Sequence, residues 1–406
     1  MKIRRKRALL AYQPHNILSA LYSQRLLLMI NVFAWTRRVQ NGNFRNFCQN
    51  DFVAFLMKAV KSLFAGPQDG SEIESLMTKK ALIFGVTGQD GSYLAEILLE
   101  KGYEVHGMAR RSATGNTNNI DYLIKDSSIF NRQFFLHRGD LADPTSLYRI
   151  IHGIRPNEIY NEADQDHVSW SFDMVGYSAD ITGAAVGRIL EIIKQVDTSI
   201  RYFQPCTSNM FGKTDIVPQN ETTPFNPQSI YASAKVFAYY LTRYYRDAFG
   251  IFASTGILYN HESPRRTEEY VTRKITKSVA RIVCGKQDKL ILGDLSACID
   301  WGYAKEYMET AWKILQLDKP DDFIIATGEA HSVKEFVQEA FAAANLNLDD
   351  YVVSDKNLFR PTKTSALIGN TAKAKAAFGY EARVRFKELV KIMMDADLEA
   401  ERRRTA

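Results

Sequence analysis

Ala81-Leu82-Ile83-Phe84-Gly85-Val86-Thr87-Gly88-Gln89-Asp90-Gly91 is an apolar run that ends in three glycines spaced G-x-x-G-x-x-G. The apolar part has the length and composition of a strand buried on both faces. Residues 92–101 follow with Leu94, Ile97 and Leu98 on one helical face. A strand, a glycine turn and a helix in this order open a βαβ unit. Gly85, Gly88 and Gly91, with Thr87, Gln89 and Asp90 among them, let the backbone pass close to a pyrophosphate seated on the helix N-terminus.

The alternation continues outward from that stretch. Residues 103–108, 134–137, 158–160, 200–204 and 252–258 have strand character, and residues 144–152, 175–194 and 230–249 have helical periodicity. After about residue 260 the pattern becomes mainly helical, over 271–284, 303–317, 332–344 and 386–400, with a short strand at 322–326. The expected fold is α/β: a Rossmann-type doubly wound parallel sheet with a smaller, mostly helical C-terminal substrate lobe. The expected boundaries are an N-terminal extension outside the fold at 1–78, a dinucleotide-binding domain at 79–260, a lobe at 261–400 with segments returning to the sheet, and a tail at 401–406.

Composition excludes several classes. The net charge of +6 misleads, because residues 1–50 hold nine Lys or Arg and no acid, which leaves the remainder mildly acidic. A nucleic-acid surface is not expected there. Cys48, Cys206, Cys284 and Cys298 are far apart, without C-x-x-C. That spacing speaks against a disulfide framework or a zinc site and for a reducing, cytoplasmic setting. The most apolar segment, 17–35, is interrupted by Arg25, so no membrane span is expected. Residues 1–76 suit an upstream extension, a targeting peptide or a surface helix; the fold signals begin directly after Met77.

Two further features bear on chemistry. Arg110-Arg111-Ser112 closes the second strand where an acid would hold a ribose 2′-hydroxyl. Two guanidiniums and a hydroxyl suit a 2′-phosphate, so NADP is the expected cofactor. Tyr231 and Lys235 stand at i and i+4, one turn apart on a helix, and Thr207-Ser208-Asn209 precedes them. A neighbouring ammonium lowers a phenol's pKa, so the pair can move a proton.

Glycines, a Ser/Thr and Tyr-x-x-x-Lys in this order resemble the extended short-chain dehydrogenase/reductases. Residues 85–96, Asn260-His261-Glu262-Ser263-Pro264-Arg265-Arg266, residues 271–275, Asp300-Trp301-Gly302, residues 325–329 and Phe359-Arg360-Pro361-Thr362 resemble the GDP-mannose 4,6-dehydratase family within them. The resemblance covers about residues 79–400. It implies oxidation of a sugar at C4 with bound NADP, loss of water across C5 and C6, and hydride return to C6. It implies Tyr231 as base at the C4 hydroxyl, with Lys235 beside it and Thr207 on the same oxygen. Asp140 and Leu141 would lie by the adenine; Ala163, Gln165 and Tyr177 would line the cofactor; His261 and Arg266 would contact it. Asn260, Lys274 and Arg360 would hold the nucleotide sugar. A homodimer or homotetramer, paired through the helices after 175 and 230, is implied as well.

The chain departs from that family at telling places. Asn209 stands where the family has the glutamate that removes the C5 proton, and an amide is no base near neutral pH. Ile299 replaces a substrate-binding Arg, and Lys363 replaces an acid that would accept guanine N–H donors. Glu162, Asp164 and Asp166 put three acids near an anionic cofactor, one of which, such as Asp166, could stand in for the base. Three readings follow: a dehydratase; an NADP-dependent epimerase or reductase of nucleotide sugars without the elimination; or a non-catalytic NADP-binding protein.

Overall fold

The computed structural model describes residues 78–113, 115–355 and 366–404. Nearly all of the expected N-terminal extension, with Arg360 and Lys363, lies outside them.

The opening apolar run forms β1 (Lys80–Phe84), with Ala81 and Ile83 turned to one side and Leu82 and Phe84 to the other, all fully buried. Both faces are apolar because helices cover both, as a parallel sheet requires. The remaining sheet strands are β2 (Glu104–Ala109), β3 (Phe134–Arg138), β4 (Glu158–Asn161), β5 (Arg201–Thr207), β6 (Ala253–Leu258) and β7 (Asp322–Ile325). Their order is β7-β6-β5-β4-β1-β2-β3, every pair parallel. The sheet reverses direction of growth between β1 and β4, and the carboxyl edge there is where ligands of such folds bind.

The principal helices are α1 (Gln89–Glu100), α2 (Pro144–Ile154), α3 (Ala185–Val196), α4 (Ile230–Phe249), α5 (Val271–Val283), α6 (Ala304–Leu315), α7 (Val333–Ala343) and α8 (Phe386–Arg403). Leu94 and Leu98 of α1 join Met308, Ala311 and Leu315 of α6 on one face of the sheet. Leu147 and Ile151 of α2, Val186, Ile189 and Ile193 of α3, and Ala238 of α4 cover the other. A separate core gathers Ile275 and Val279 of α5, Phe336 and Phe341 of α7, Leu389 and Met393 of α8, and Trp301.

Local chemistry sets the helix ends. Asp143 caps α2 by accepting from the Thr145 and Ser146 amides, with Pro144 at the first helical position. Ser229 caps α4 on the Ala232 amide, and Gly250 closes it at φ +67°. Ser332 and Glu335 form a reciprocal capping box on α7.

One sequence expectation is corrected, and the mostly helical C-terminal lobe gains detail. Residues 175–194 are not one α-helix: a turn and a π-helical segment, Ala179–Ala184, precede α3. Close packing accompanies the change, since a Cβ on Gly183 would stand 3.2 Å from the Phe237 ring on α4. The C-terminal region also holds short ladders that periodicity did not reveal. Asn260–Glu262 pairs with Trp301–Tyr303, Cys298–Ile299 with His331–Ser332, and Leu290–Leu292 with Val352–Ser354. Two or three residues are too few to establish a period of two.

Candidate active site

Gly85 leaves β1 at φ +75°, a conformation that favours glycine. A Cβ on it would lie 2.3 Å from the Glu162 carbonyl oxygen, and one on Gly91 would lie 2.4 Å from the Gly85 oxygen. The two glycines thus bring three backbone segments into contact over the switch point. Gly88 caps α1 with no side-chain hydrogen bond, so the first amides of the helix remain available to an anion. This is a cradle of the shape and polarity that a pyrophosphate needs.

Polar side chains brace the cradle from the strand at 260–262. The Gln89 amide donates to the His261 carbonyl at 3.1 Å, and its oxygen accepts from Ser263 at 2.7 Å. His261 Nδ1 is 2.8 Å from the Tyr259 carbonyl, and Nε2 is 2.9 Å from Asp90 Oδ2. Both ring nitrogens therefore face acceptors, the arrangement of an imidazolium. Burial opposes that charge, but Asp90 outweighs it and raises the His261 pKa; burial raises Asp90, and His261 more than offsets it. Arg266 lies 3.3 Å from Asp166, 3.6 Å from Glu262, and over the Tyr270 ring at 3.4 Å. Glu262, which also accepts from Thr272 at 2.6 Å, carried no assignment from sequence. Its place inside the Asn260–Arg266 motif was the available signal.

Beside the cradle, α4 presents Tyr231 and Lys235, 8 % and 3 % exposed. β5 delivers Thr207 to the same place. The Thr207 oxygen accepts from the Asn209 backbone amide at 3.3 Å and from its side-chain amide at 3.2 Å. Its own proton is thereby free to point at the Tyr231 phenol, which favours the phenolate. Lys235 Nζ donates to the Pro205 carbonyl at 2.8 Å and reaches Asp164 Oδ2 at 2.6 Å. Asp164 raises the Lys235 pKa against the burial that lowers it. Lys235 lowers the Tyr231 pKa as expected, but other influences outweigh it. Burial raises the phenol well above its usual range; Lys235 opposes this, while Asp164 and Asp166 reinforce it.

The other predicted site residues fall into separate groups. Arg110, exposed at the end of β2, donates to the Tyr177 hydroxyl at 2.6 Å, and Arg111 is exposed next to it. Asp140 follows β3 and accepts from the Ala142 amide; Leu141 is buried, its carbonyl held by Arg188 at 3.0 Å. Ala163 is half-buried against the core beneath α3. Gln165 is buried, bonded to Ser178 and to the His167 carbonyl. Asn260 opens the short strand after β6, and Lys274 lies in the first turn of α5 without an acidic partner within 4 Å among the described residues. Ile299 pairs with His331 and packs against the C-terminal core.

Comparison with known proteins agrees with this architecture. The model of the GDP-mannose 4,6 dehydratase family matches residues 82–393. GDP-mannose 4,6 dehydratase 1 of Arabidopsis thaliana is 48% identical over 80% of this chain and 91% of its own length. The Homo sapiens GDP-mannose 4,6 dehydratase is 45% identical over 79% and 91%. Among solved structures, a dTDP-glucose 4,6-dehydratase from Bacillus anthracis in complex with NAD superposes with a TM-score of 0.69 at 19% identity, covering 80% of this chain and 98% of its own. Its likeness bears on the fold alone. With matched sequence running from β1 into α8, this chain belongs to the GDP-mannose 4,6 dehydratase family.

Proposed function

We propose that the protein is a hydro-lyase that converts GDP-mannose to its 4-keto-6-deoxy derivative with NADP. The observation that carries this is the meeting of Tyr231, Lys235 and Thr207 beside the glycine cradle, in a chain of this family. The cradle fits a dinucleotide, because Gly85 and Gly91 allow a turn so tight that any Cβ would strike backbone, and the first amides of α1 carry no side-chain cap. Gly85 to Gly91 would hold the pyrophosphate, and Arg110 and Arg111 a 2′-phosphate. When bound, a nicotinamide ring supplies a hydride acceptor for C4 and a donor for C6.

The chain's own residues do the rest. Tyr231 removes the C4 hydroxyl proton once a ligand and the nearby cations favour its phenolate. Thr207 orients that oxygen, and Lys235, anchored on the Pro205 carbonyl, keeps its positive charge within 5.8 Å of the Tyr231 ring. Asn260, Lys274 and Arg360 are assigned to the nucleotide sugar, the two cations against its phosphates. Asn209 offers only an amide to the C5 proton, so elimination proceeds slowly. Asp166 is a weak substitute, since Arg266 holds its carboxylate at 3.3 Å. A second reading, C4 oxidation and return without elimination, rests on that same Asn209.

The test is incubation with GDP-mannose in deuterated water, with product analysis. A 4-keto-6-deoxy sugar carrying deuterium at C5 is expected. A C4 epimer without solvent deuterium would favour the second reading, and bound cofactor without turnover would sink both.

A further inference from the structure

After β4 the chain continues Glu162-Ala163-Asp164-Gln165-Asp166 over the carboxyl edge of the sheet, where β4 adjoins β1. Acids outnumber cations in this cleft. Asp90 of α1 is 2.9 Å from His261, Asp164 is 2.6 Å from Lys235 of α4, and Arg266 lies between Asp166 and Glu262 at 3.3 and 3.6 Å. His261, Lys235 and Arg266 are thus each paired with a carboxylate. Glu162 is left over: its Oε1 is shut off from solvent and has no hydrogen-bond partner. The charged groups that act on it are Asp90 across the glycine turn, Lys235 on α4 and Asp164 on its own segment. Two of the three are anions, and the cation is held by one of them.

An ionised carboxylate there would have one oxygen cut off from both water and hydrogen-bond donors, with its nearest cation already paired. A pyrophosphate on the α1 N-terminus would bring further negative charge to the same edge. A neutral carboxylic acid avoids the repulsion and has an O–H to donate. We propose that Glu162 enters the dinucleotide complex as the neutral acid, a hydrogen-bond donor in the cofactor cleft, so that cofactor binding is linked to a proton. This rests on the assignment of the cleft to a dinucleotide. Burial, with Asp90 and Asp164 outweighing Lys235, already holds the Glu162 carboxyl well above the usual range.

The sign follows from linkage. Below the pKa of Glu162 in the free protein the acid is neutral in both states, and affinity does not change with pH. Above it one proton is taken up on binding, and affinity falls by up to about tenfold per pH unit. Calorimetric titration of the full chain with NADP, from about pH 7 upward in buffers of different ionisation enthalpy, counts that proton. The ligand's own 2′-phosphate, with a second pKa of about 6, is already ionised there. Glu162→Gln keeps the shape and a donor without the titrating proton. Its dissociation constant is expected to lose the pH slope, and its proton count to fall by about one. Equal slopes and equal counts in the two proteins would overturn the proposal. Should Glu162→Gln not fold, wild-type uptake decides: zero protons at every pH up to the limit of the folded protein overturns it. Wild-type protein that binds neither NADP nor NAD removes the dinucleotide assignment and this linkage with it. Binding with no proton linkage removes the linkage alone.

Discussion

At the residue scale the site is a contest over one phenol. Tyr231 and Lys235 were legible because their spacing is local and puts them on one helix face. Asp164 as the immediate partner of Lys235 was not legible, because a loop after β4 meets α4 only through the fold. That pairing changes the electrostatics: an ammonium already neutralised pulls less on the phenol. Asp164→Ala is therefore expected to release Lys235 toward Tyr231 and lower the phenol pKa. The ascending limb of the pH–rate profile for cofactor reduction should move to lower pH, and Tyr231→Phe should abolish it. An unmoved limb in Asp164→Ala would show that burial alone sets the phenol. Asn209 supplies the second prediction at this scale. Among the described residues its side-chain amide donates to Thr207. Asn209→Glu places a carboxylate on the same turn and is expected to raise the rate of deuterium incorporation at C5 by roughly 10²-fold or more. No gain would mean that the sugar does not present C5 to this turn.

At the element scale the glycine turn is the part that tolerates least. Alanine at Gly91 would drive a Cβ to 2.4 Å from the Gly85 oxygen and 2.7 Å from the Val86 Cα. Both neighbours are backbone and cannot swing aside. Overpacking of this kind costs about 1–3 kcal/mol, so Gly91→Ala is expected to weaken dinucleotide binding by roughly tenfold or more, measured by titration. Unchanged affinity would place the ligand away from α1. This turn could be read from sequence because strand, glycines and helix are contiguous. So could α4, framed by Ser229 and Gly250, whose predicted and observed bounds coincide. The region from Val175 to Val196 could not. The π-helical turn at Ala179–Ala184 depends on how closely Gly183 approaches α4, which hydrophobic periodicity does not encode. The short ladders around Ile299 were hidden for the opposite reason: each strand is brief, and its partner lies more than thirty residues away.

At the scale of the whole molecule, two features remain to be accounted for. Residues 78–404 contain the sheet, its helical covers and the C-terminal core, and the family match falls inside them. Deleting residues 1–76 is accordingly expected to leave dinucleotide affinity and turnover unchanged; an inactive or insoluble product would assign those residues a part in the enzyme. The second is an apolar surface. Phe237, Tyr240 and Tyr244 of α4 are each at least half exposed, at i, i+3 and i+7 on one stripe. The adjoining segment adds Trp170, Phe172 and Val175, exposed to a similar degree. Isolated exposed aromatics are ordinary, but a stripe of them continued on a neighbouring element is what a subunit interface requires. A 20-residue helix is about 30 Å long, enough to pair with its copy along most of its length. The stripe is the surface to test for a homodimer or homotetramer contact. The double substitution Tyr240→Lys with Tyr244→Lys sets two like charges on each copy facing those of its partner, which destabilises a two-fold interface and leaves the monomer's core untouched. Sedimentation of the wild type should give the mass of a dimer or tetramer, and the double variant should shift to a smaller assembly at the same concentration. A variant of unchanged mass would place the interface elsewhere and leave the α4 stripe as open surface.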